Sequence, residues 1–282
     1  MTDAQCVRFL QWALPQLRMR WDGFRKVRGQ VKKRLARRLR ELGLPDIEAY
    51  RDYLHRHAGE WHKLDALCRI TISRFYRDKG VYAALSQQVL PTLARAARQR
   101  RDKTLRVWSA GCGGGEEPYT IAILWRLELR DRYPDLQIDI VATDADPAML
   151  ARAREGHYAF PSVKDLPASA RGQAFEHAHG AYRLKPAYRR DITFLEQDIR
   201  NEQADGPFDL VLCRNLVFTY FDDALQSEIS SRIVATMRDA AALVLGIHEQ
   251  LPADTRELCP WFDKLRIYRL QESVSHPGII RP

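Results

Sequence analysis

The chain has 282 residues, 45% of them hydrophobic, which is enough for a sizeable core in one large domain or two smaller ones and too much for a largely disordered chain. A formal net charge of +9 points to an acidic partner, while no apolar run of about 18 residues exists and MTDAQCVRFL lacks the basic-then-apolar order of a secretory leader, so membrane insertion is not expected and a cytoplasmic protein is. The five cysteines, Cys6, Cys68, Cys112, Cys213 and Cys259, are odd in number and show no C-x-x-C spacing, which argues against a disulfide framework and a structural zinc site.

Val7, Leu10, Ala13 and Leu17 lie at helical spacing, with Pro15 as an expected interruption. The next stretch, FRKVRGQVKKRLARRLRELG, predicts a helix over 24–42: Phe24, Val27, Val31, Leu35, Leu39 and Leu42 form one apolar face, and Gly43 supplies the stop. Between Arg25 and Arg40 stand nine Lys or Arg residues and no acid. Such a surface serves equally as a solvated face or as a docking face for an acidic protein; no aromatics interleave to stack bases, so nucleic acid is the weaker partner. DIEAYRDYL, capped by Asp46, and EWHKLDALCRI read as two further helices, and TISRFYRD closes a helical domain of residues 1–79. An amphipathic helix over 80–98 opens the second domain, residues 80–282.

In LRVWSAGCGGGEEPY, residues 105–119, an apolar run stops at a cluster of glycines followed by two acids. The run predicts a buried parallel strand, the glycines a tight turn that lets backbone approach a ligand, and residues 119–131 a helix. No Lys-Ser/Thr follows the glycines, and Glu116 and Glu117 stand where a phosphate would be repelled. A second apolar run, Ile138 to Ala142, leads to Asp144, where an open α/β sheet presents a carboxylate to a ribose. A ligand with a ribose, a cationic amine and sulfonium and no phosphate is S-adenosylmethionine; a dinucleotide is the rival, and the missing G-x-G-x-x-G spacing counts against it.

Asp146 and Pro147 begin a helix to Glu155. Residues 156–190, with scattered Gly and Pro, predict an irregular excursion before a strand at 192–195. Asp198 after it suits either an adenine amino group or an ordinary loop. FDLVLC, residues 208–213, predicts a buried strand that runs into Arg214 and Asn215, where such sheets bind substrate. A helix over 222–237, a strand over 241–245 and an edge strand over 264–271 complete the pattern.

The motifs SAGCGGGEEPYT, ATDAD, YRLKPAYRRDITF, FDLVLCRN followed by YFD, and LGIHE together resemble the chemotaxis-receptor glutamate methyltransferases of the CheR type, and RLRELGL and SRFYRD resemble that family's helical domain and its junction. The resemblance covers residues from about 24 to about 250. It implies a class I, Rossmann-like α/β fold, a mostly parallel sheet with an antiparallel edge strand behind a small all-helical domain, S-adenosylmethionine as cofactor, and a chemoreceptor's cytoplasmic helices as substrate. By position it implies Ala110 and Glu116 beside the methionine part of the cofactor with Gly111 in the same loop, Asp144 at the ribose, and Asp198 and Ile199 at the adenine. Arg214 and Asn215 fall at the reacting end. Thr71, Ser73 and Arg77 come from the junction, and Arg77 and Tyr220 are the residues placed at the methyl donor.

Three departures stand out. Thr71 replaces the family's asparagine, Ser73 its threonine, and CRN-LVFT-YFD has four residues where the family has three. Either a bulge or turn absorbs the added residue, or Phe218 or Thr219 faces the substrate in place of Tyr220. A carboxylate acceptor, with an ordinary pKa of about 4.3, is already ionised and requires no base. An amine or alcohol acceptor would require one, and His248 is the histidine to nominate. Arg77 suits either a forked grip on the acceptor or a structural ion pair, Tyr220 either an orienting hydroxyl or a packed ring, and Cys112 a small filler. The alternatives are the same fold acting on another protein or a small molecule, and a non-catalytic cofactor-binding regulator. A nucleic-acid methyltransferase is disfavoured because Leu-Val-Phe follows Asn215.

Overall fold

A computed structural model describes residues 1–178 and 180–271, so His179 in the expected excursion and the last eleven residues of the second domain lie outside the described residues. The chain forms two compact units: Met1–Ile72 with Asn215–Glu228, and Ser73–Arg214 with the residues from Ile229 onward.

In the first unit, α1 (Asp3–Gln16) starts on a reciprocal cap, in which Thr2 accepts from the Gln5 amide and Gln5 accepts from the Thr2 amide. Pro15 does not interrupt it, because only Gln16 follows and the disturbance falls on the final turn. The helix expected over 24–42 is two pieces, α2 (Trp21–Phe24) and α3 (Arg28–Glu41). Val31, Leu35 and Leu39 are its buried stripe, and Gly43, at φ +66°, ends it, with the Leu44 amide reaching back to the Leu39 carbonyl. The cationic surface is smaller than the composition suggests. Arg34 donates to the carbonyls of Leu67 and Arg69, and Arg38 forks onto the buried Glu60 at 2.8 and 2.7 Å, a carboxylate that also accepts from Tyr50. Both arginines thereby tie α3 to α5 (Glu60–Cys68), while α4 (Ile47–Arg56) starts on the Asp46 cap. Residues 215–228 join this unit through main-chain bonds from Arg20 to the Tyr220 carbonyl and from Asp222 to the Arg18 carbonyl, both 2.9 Å. Gly23 is required there, since a Cβ would stand 2.3 Å from the Thr219 carbonyl oxygen.

The second unit begins with α6 (Lys79–Ala84), which runs through a π turn at Leu85–Val89 into α7 (Leu90–Gln99). Its frame is β1 (Thr104–Ala110), α8 (Glu116–Leu124), β2 (Gln137–Asp144) and α9 (Pro147–Glu155). α8 starts at Glu116, three residues before the expected 119, so both acids and Pro118 lie in its first turn, where a carboxylate and a proline are each favoured.

The excursion is not irregular. β3 (His157–Ala159), β4 (Phe175–Ala178) and β5 (Ala181–Leu184) form an antiparallel sheet in the order β3-β5-β4. Its core is aromatic, with the Phe75 ring edge-on to Tyr158 at 4.7 Å and to Phe175 at 5.2 Å. Strands this short, broken by turns, carry too little alternation to read from sequence.

The main sheet adds β6 (Ile192–Glu196), β7 (Phe208–Leu212), β8 (Met237–Val244), β9 (Leu258–Phe262) and β10 (Ile267–Leu270), in the order β6-β2-β1-β7-β8-β10-β9. The first five are parallel and the last two pairings antiparallel. β7 is buried along its whole length, as an apolar run covered on both faces should be. The antiparallel edge is β9, with β10 one place inside it; β9 carries Pro260, whose missing N–H an edge strand tolerates.

Candidate active site

The order of the parallel strands reverses beside β1, and the loop after β1 is tied to the end of β2. The amides of Gly111 and Cys112 both donate to the Thr143 carbonyl, at 2.8 and 2.9 Å. The Gly113 amide donates to one Asp144 oxygen at 2.8 Å and the Asp146 amide to the other at 2.9 Å. Asp144 is therefore fixed at the carboxyl end of β2 by backbone on both sides. Gly115 has φ +88°, and a Cβ on it would lie 2.9 Å from both Ala153 and the Tyr119 ring. Packing and backbone conformation together demand glycine there.

The two acids after the loop are not bare. Glu116 is fully buried; one oxygen accepts from Arg152 at 2.6 Å, and the other has no hydrogen-bond partner among the described residues. Glu117 accepts from the Ser109 hydroxyl at 2.8 Å and from Arg214 at 3.4 Å. Arg214, itself buried, also donates to Asp78 at 2.6 Å, to the Tyr82 hydroxyl at 3.1 Å and to the Arg77 carbonyl at 3.3 Å. Burial pushes the Glu117 carboxyl above the usual carboxylate range, with Arg214, Ser109 and Arg77 pulling against it. Burial likewise opposes the charge on Arg214, but Tyr82, Glu117, Asp78 and Glu249 outweigh it and hold the guanidinium pKa above its ordinary value. Glu116 thus faces the guanidinium of Arg152, and Asp78, Glu117 and Glu249 surround that of Arg214. Burial raises the Cys112 thiol as well, in keeping with a packed filler.

Asp198 sits beyond β6 with its carboxylate gripped by its own neighbour: the Arg200 side chain forks onto it at 2.9 and 2.6 Å, and the Arg200 amide adds a third bond at 3.0 Å. Ile199 is buried, and its carbonyl accepts from Arg232. Ala110 is buried at the end of β1. Ser73 is half-buried in the junction, where Tyr76 at φ +58° and Asp78 at φ +65° hold a left-handed backbone that non-glycine residues adopt only under constraint.

Residues 71–264 match the family described as "CheR methyltransferase, SAM binding domain", and residues 26–65 match "CheR methyltransferase, all-alpha domain". The chain belongs to the CheR methyltransferase family. Among curated CheR relatives, the chemotaxis protein methyltransferase of Listeria monocytogenes is 35% identical over 191 residues, 67% of this chain and 70% of that one. The probable chemotaxis protein methyltransferase of Rhizobium etli is 31% identical over 244 residues, 84% and 88% of the two chains. That of Escherichia coli is 32% identical over 232 residues, 79% and 76%. Among solved structures, SAM-bound CalS10, an amino pentose methyltransferase from Micromonospora echinaspora, is 20% identical and covers 63% of this chain and 58% of its own, but its TM-score of 0.31 is too low to argue from.

This CheR chain is an S-adenosylmethionine-dependent methyltransferase with the Rossmann-like, mostly parallel fold and all-helical N-terminal domain of its family. Its loop fits the cofactor: Glu116 keeps a carboxylate oxygen with no partner among the described residues, 3.0 Å from where a Cβ on Gly114 would stand, and Asp144 is held in place at the strand end.

Thr71, Asn215 and Tyr220 belong to the first unit. Within CRN-LVFT-YFD, Val217–Tyr220 forms a one-turn helix. Phe218 is buried inside that unit, whereas Tyr220 is partly exposed with its ring 5.0 Å from Phe24. Asp78, Tyr82 and Arg152, which the sequence did not single out, join the site's network through Arg214 and Glu116. His248, nominated only for an amine or alcohol acceptor, is exposed, and the neighbouring Glu249 is buried and accepts from the Gly246 amide at 2.6 Å.

Proposed function

We propose that the chain esterifies glutamate carboxylates of a chemoreceptor's cytoplasmic region with the methyl group of S-adenosylmethionine, and that it does so in the cytoplasm. The observation that carries this reading is the SAM-binding-domain match across 71–264, which contains the glycine loop, Asp144 and the Arg214 network in one stretch. The cofactor supplies a methyl carbon activated by a sulfonium. Ala110, Gly111 and Glu116 would hold its methionine part, Asp144 its ribose hydroxyls, and Asp198 and Ile199 its adenine.

Ser73, Arg77 and Arg214 serve the reacting end. Arg214 fixes Glu117 and the junction backbone at Arg77, and Arg77 offers a forked grip for the acceptor carboxylate. A glutamate acceptor is ionised at neutral pH, so positioning rather than proton removal is the task. Thr71 and Asn215, and Tyr220 as the orienting hydroxyl, keep the roles that the family resemblance implies. The receptor's acidic surface would dock on α3, where Lys33, Arg37 and Arg40 are exposed. No described helix is long and apolar enough to cross a membrane.

The test is transfer from methyl-labelled S-adenosylmethionine to the cytoplasmic fragment of a chemoreceptor. A base-labile ester that releases volatile methanol is expected; label that survives mild alkali would place the methyl on an amine or an alcohol and overturn the carboxylate assignment.

A further inference from the structure

A second concave site lies in the same unit, outside the residues assigned to the cofactor. It is an open cleft of about 430 Å³, within the roughly 300–1,000 Å³ typical of small-ligand pockets and larger than a bare anion needs. Three arginines line it, Arg154, Arg189 and Arg190, and among the described residues no carboxylate does. Its apolar lining comes from Phe194, Ile192 and Pro186, with the Tyr119 ring behind, edge-on to Phe194 at 5.7 Å.

The cationic side is built rather than incidental. Arg154 donates through one terminal nitrogen to the Phe194 carbonyl at 2.9 Å, and Arg189 through one to the Arg154 carbonyl. Arg189 also hydrogen-bonds the Tyr119 hydroxyl. These anchors occupy part of each guanidinium's five N–H donors and limit the side chains' freedom, so the donors left over are presented at lower entropic cost. Forked guanidiniums match phosphate oxygens, and an apolar, aromatic lining beside them matches a planar base. Tyr119 belongs to both sites, because its ring also packs at Gly115 of the cofactor loop.

We propose that this cleft binds a nucleotide, its phosphates on Arg154, Arg189 and Arg190 and its base against Phe194 and Ile192. The cofactor has no phosphate, so the two sites select different ligands.

The experiment is isothermal titration of the full chain, saturated with S-adenosylhomocysteine, with ATP, GTP and inorganic triphosphate in parallel. At least one nucleotide should bind about tenfold or more tighter than inorganic triphosphate, and more weakly as salt is raised. An R189A/R190A double variant should lose at least about tenfold in nucleotide affinity while its affinity for S-adenosylhomocysteine is unchanged, which also shows that it folds. No heat from either nucleotide at millimolar concentration, equal affinity for inorganic triphosphate, or an unaffected double variant would each overturn the proposal. If S-adenosylhomocysteine itself fails to bind, the cofactor assignment falls, and the same titrations without it still test the cleft.

Discussion

Replacing Asp144 with asparagine tests the cofactor assignment through a change of one atom. Its carboxylate accepts from the Gly113 amide with one oxygen and from the Asp146 amide with the other, at 2.8 and 2.9 Å. An asparagine has one acceptor oxygen, and its NH₂ would face the second amide, so one backbone donor loses its partner. Hydrogen bonds to charged groups contribute about 1.5–3 kcal/mol, and a loss of that size is expected in the free protein. The proposed grip on the ribose weakens at the same time, because a neutral amide accepts fewer hydroxyl bonds. At 1.4 kcal/mol per factor of ten, affinity for S-adenosylhomocysteine should fall by about tenfold to a hundredfold. Urea unfolding measures the first effect and isothermal titration the second. A folded variant that binds S-adenosylhomocysteine within about threefold of the parent chain would refute the ribose assignment, and an unchanged urea midpoint would refute the loop clamp.

Gly115→Ala forces a Cβ into 2.9 Å contacts at φ +88°, so left-handed strain of about 1–2 kcal/mol and overpacking of about 1–3 kcal/mol should lower Tm sharply. Gly29→Ala, in α3 with nothing within 4 Å, should instead stabilise by about 0.5–1 kcal/mol. The folded pKa of Glu117 is raised, so its contribution to stability is largest below the unfolded carboxylate value and is lost as pH rises through the folded one. The urea midpoint of Glu117→Gln should accordingly gain on that of the parent chain as pH rises from the ordinary carboxylate value of about 4.3, and a difference independent of pH would contradict the buried, penalised carboxylate. Tyr220→Phe keeps the ring on Phe24 and removes only the hydroxyl, so methyl transfer should slow while S-adenosylhomocysteine affinity holds. Undiminished transfer would show that the added residue has taken the hydroxyl out of the chemistry.

The features legible in the amino-acid order are those that short-range rules govern. The apolar runs 105–110, 138–142 and 208–213 announce strands buried on both faces, and Asp46 and Asp146 announce helix starts, because burial and capping act on neighbouring residues. The small sheet of 157–184 and the edge strand β9 escaped, since strands of three to five residues carry too few alternations for a period of two. Pro260 further hid β9, because a proline speaks against a strand everywhere except at an edge.

The sequence by itself determined the glycine-lined turn and the aspartate that ends the second strand, because both are written in contiguous residues. Only the tertiary structure decided how charge is shared at that turn. Glu117 meets Arg214 from 97 positions away, Glu116 meets Arg152 from 36, and Arg214 meets Asp78 from 136. A carboxylate's partner depends on which strand ends and helix starts converge in space, and no local pattern records that convergence.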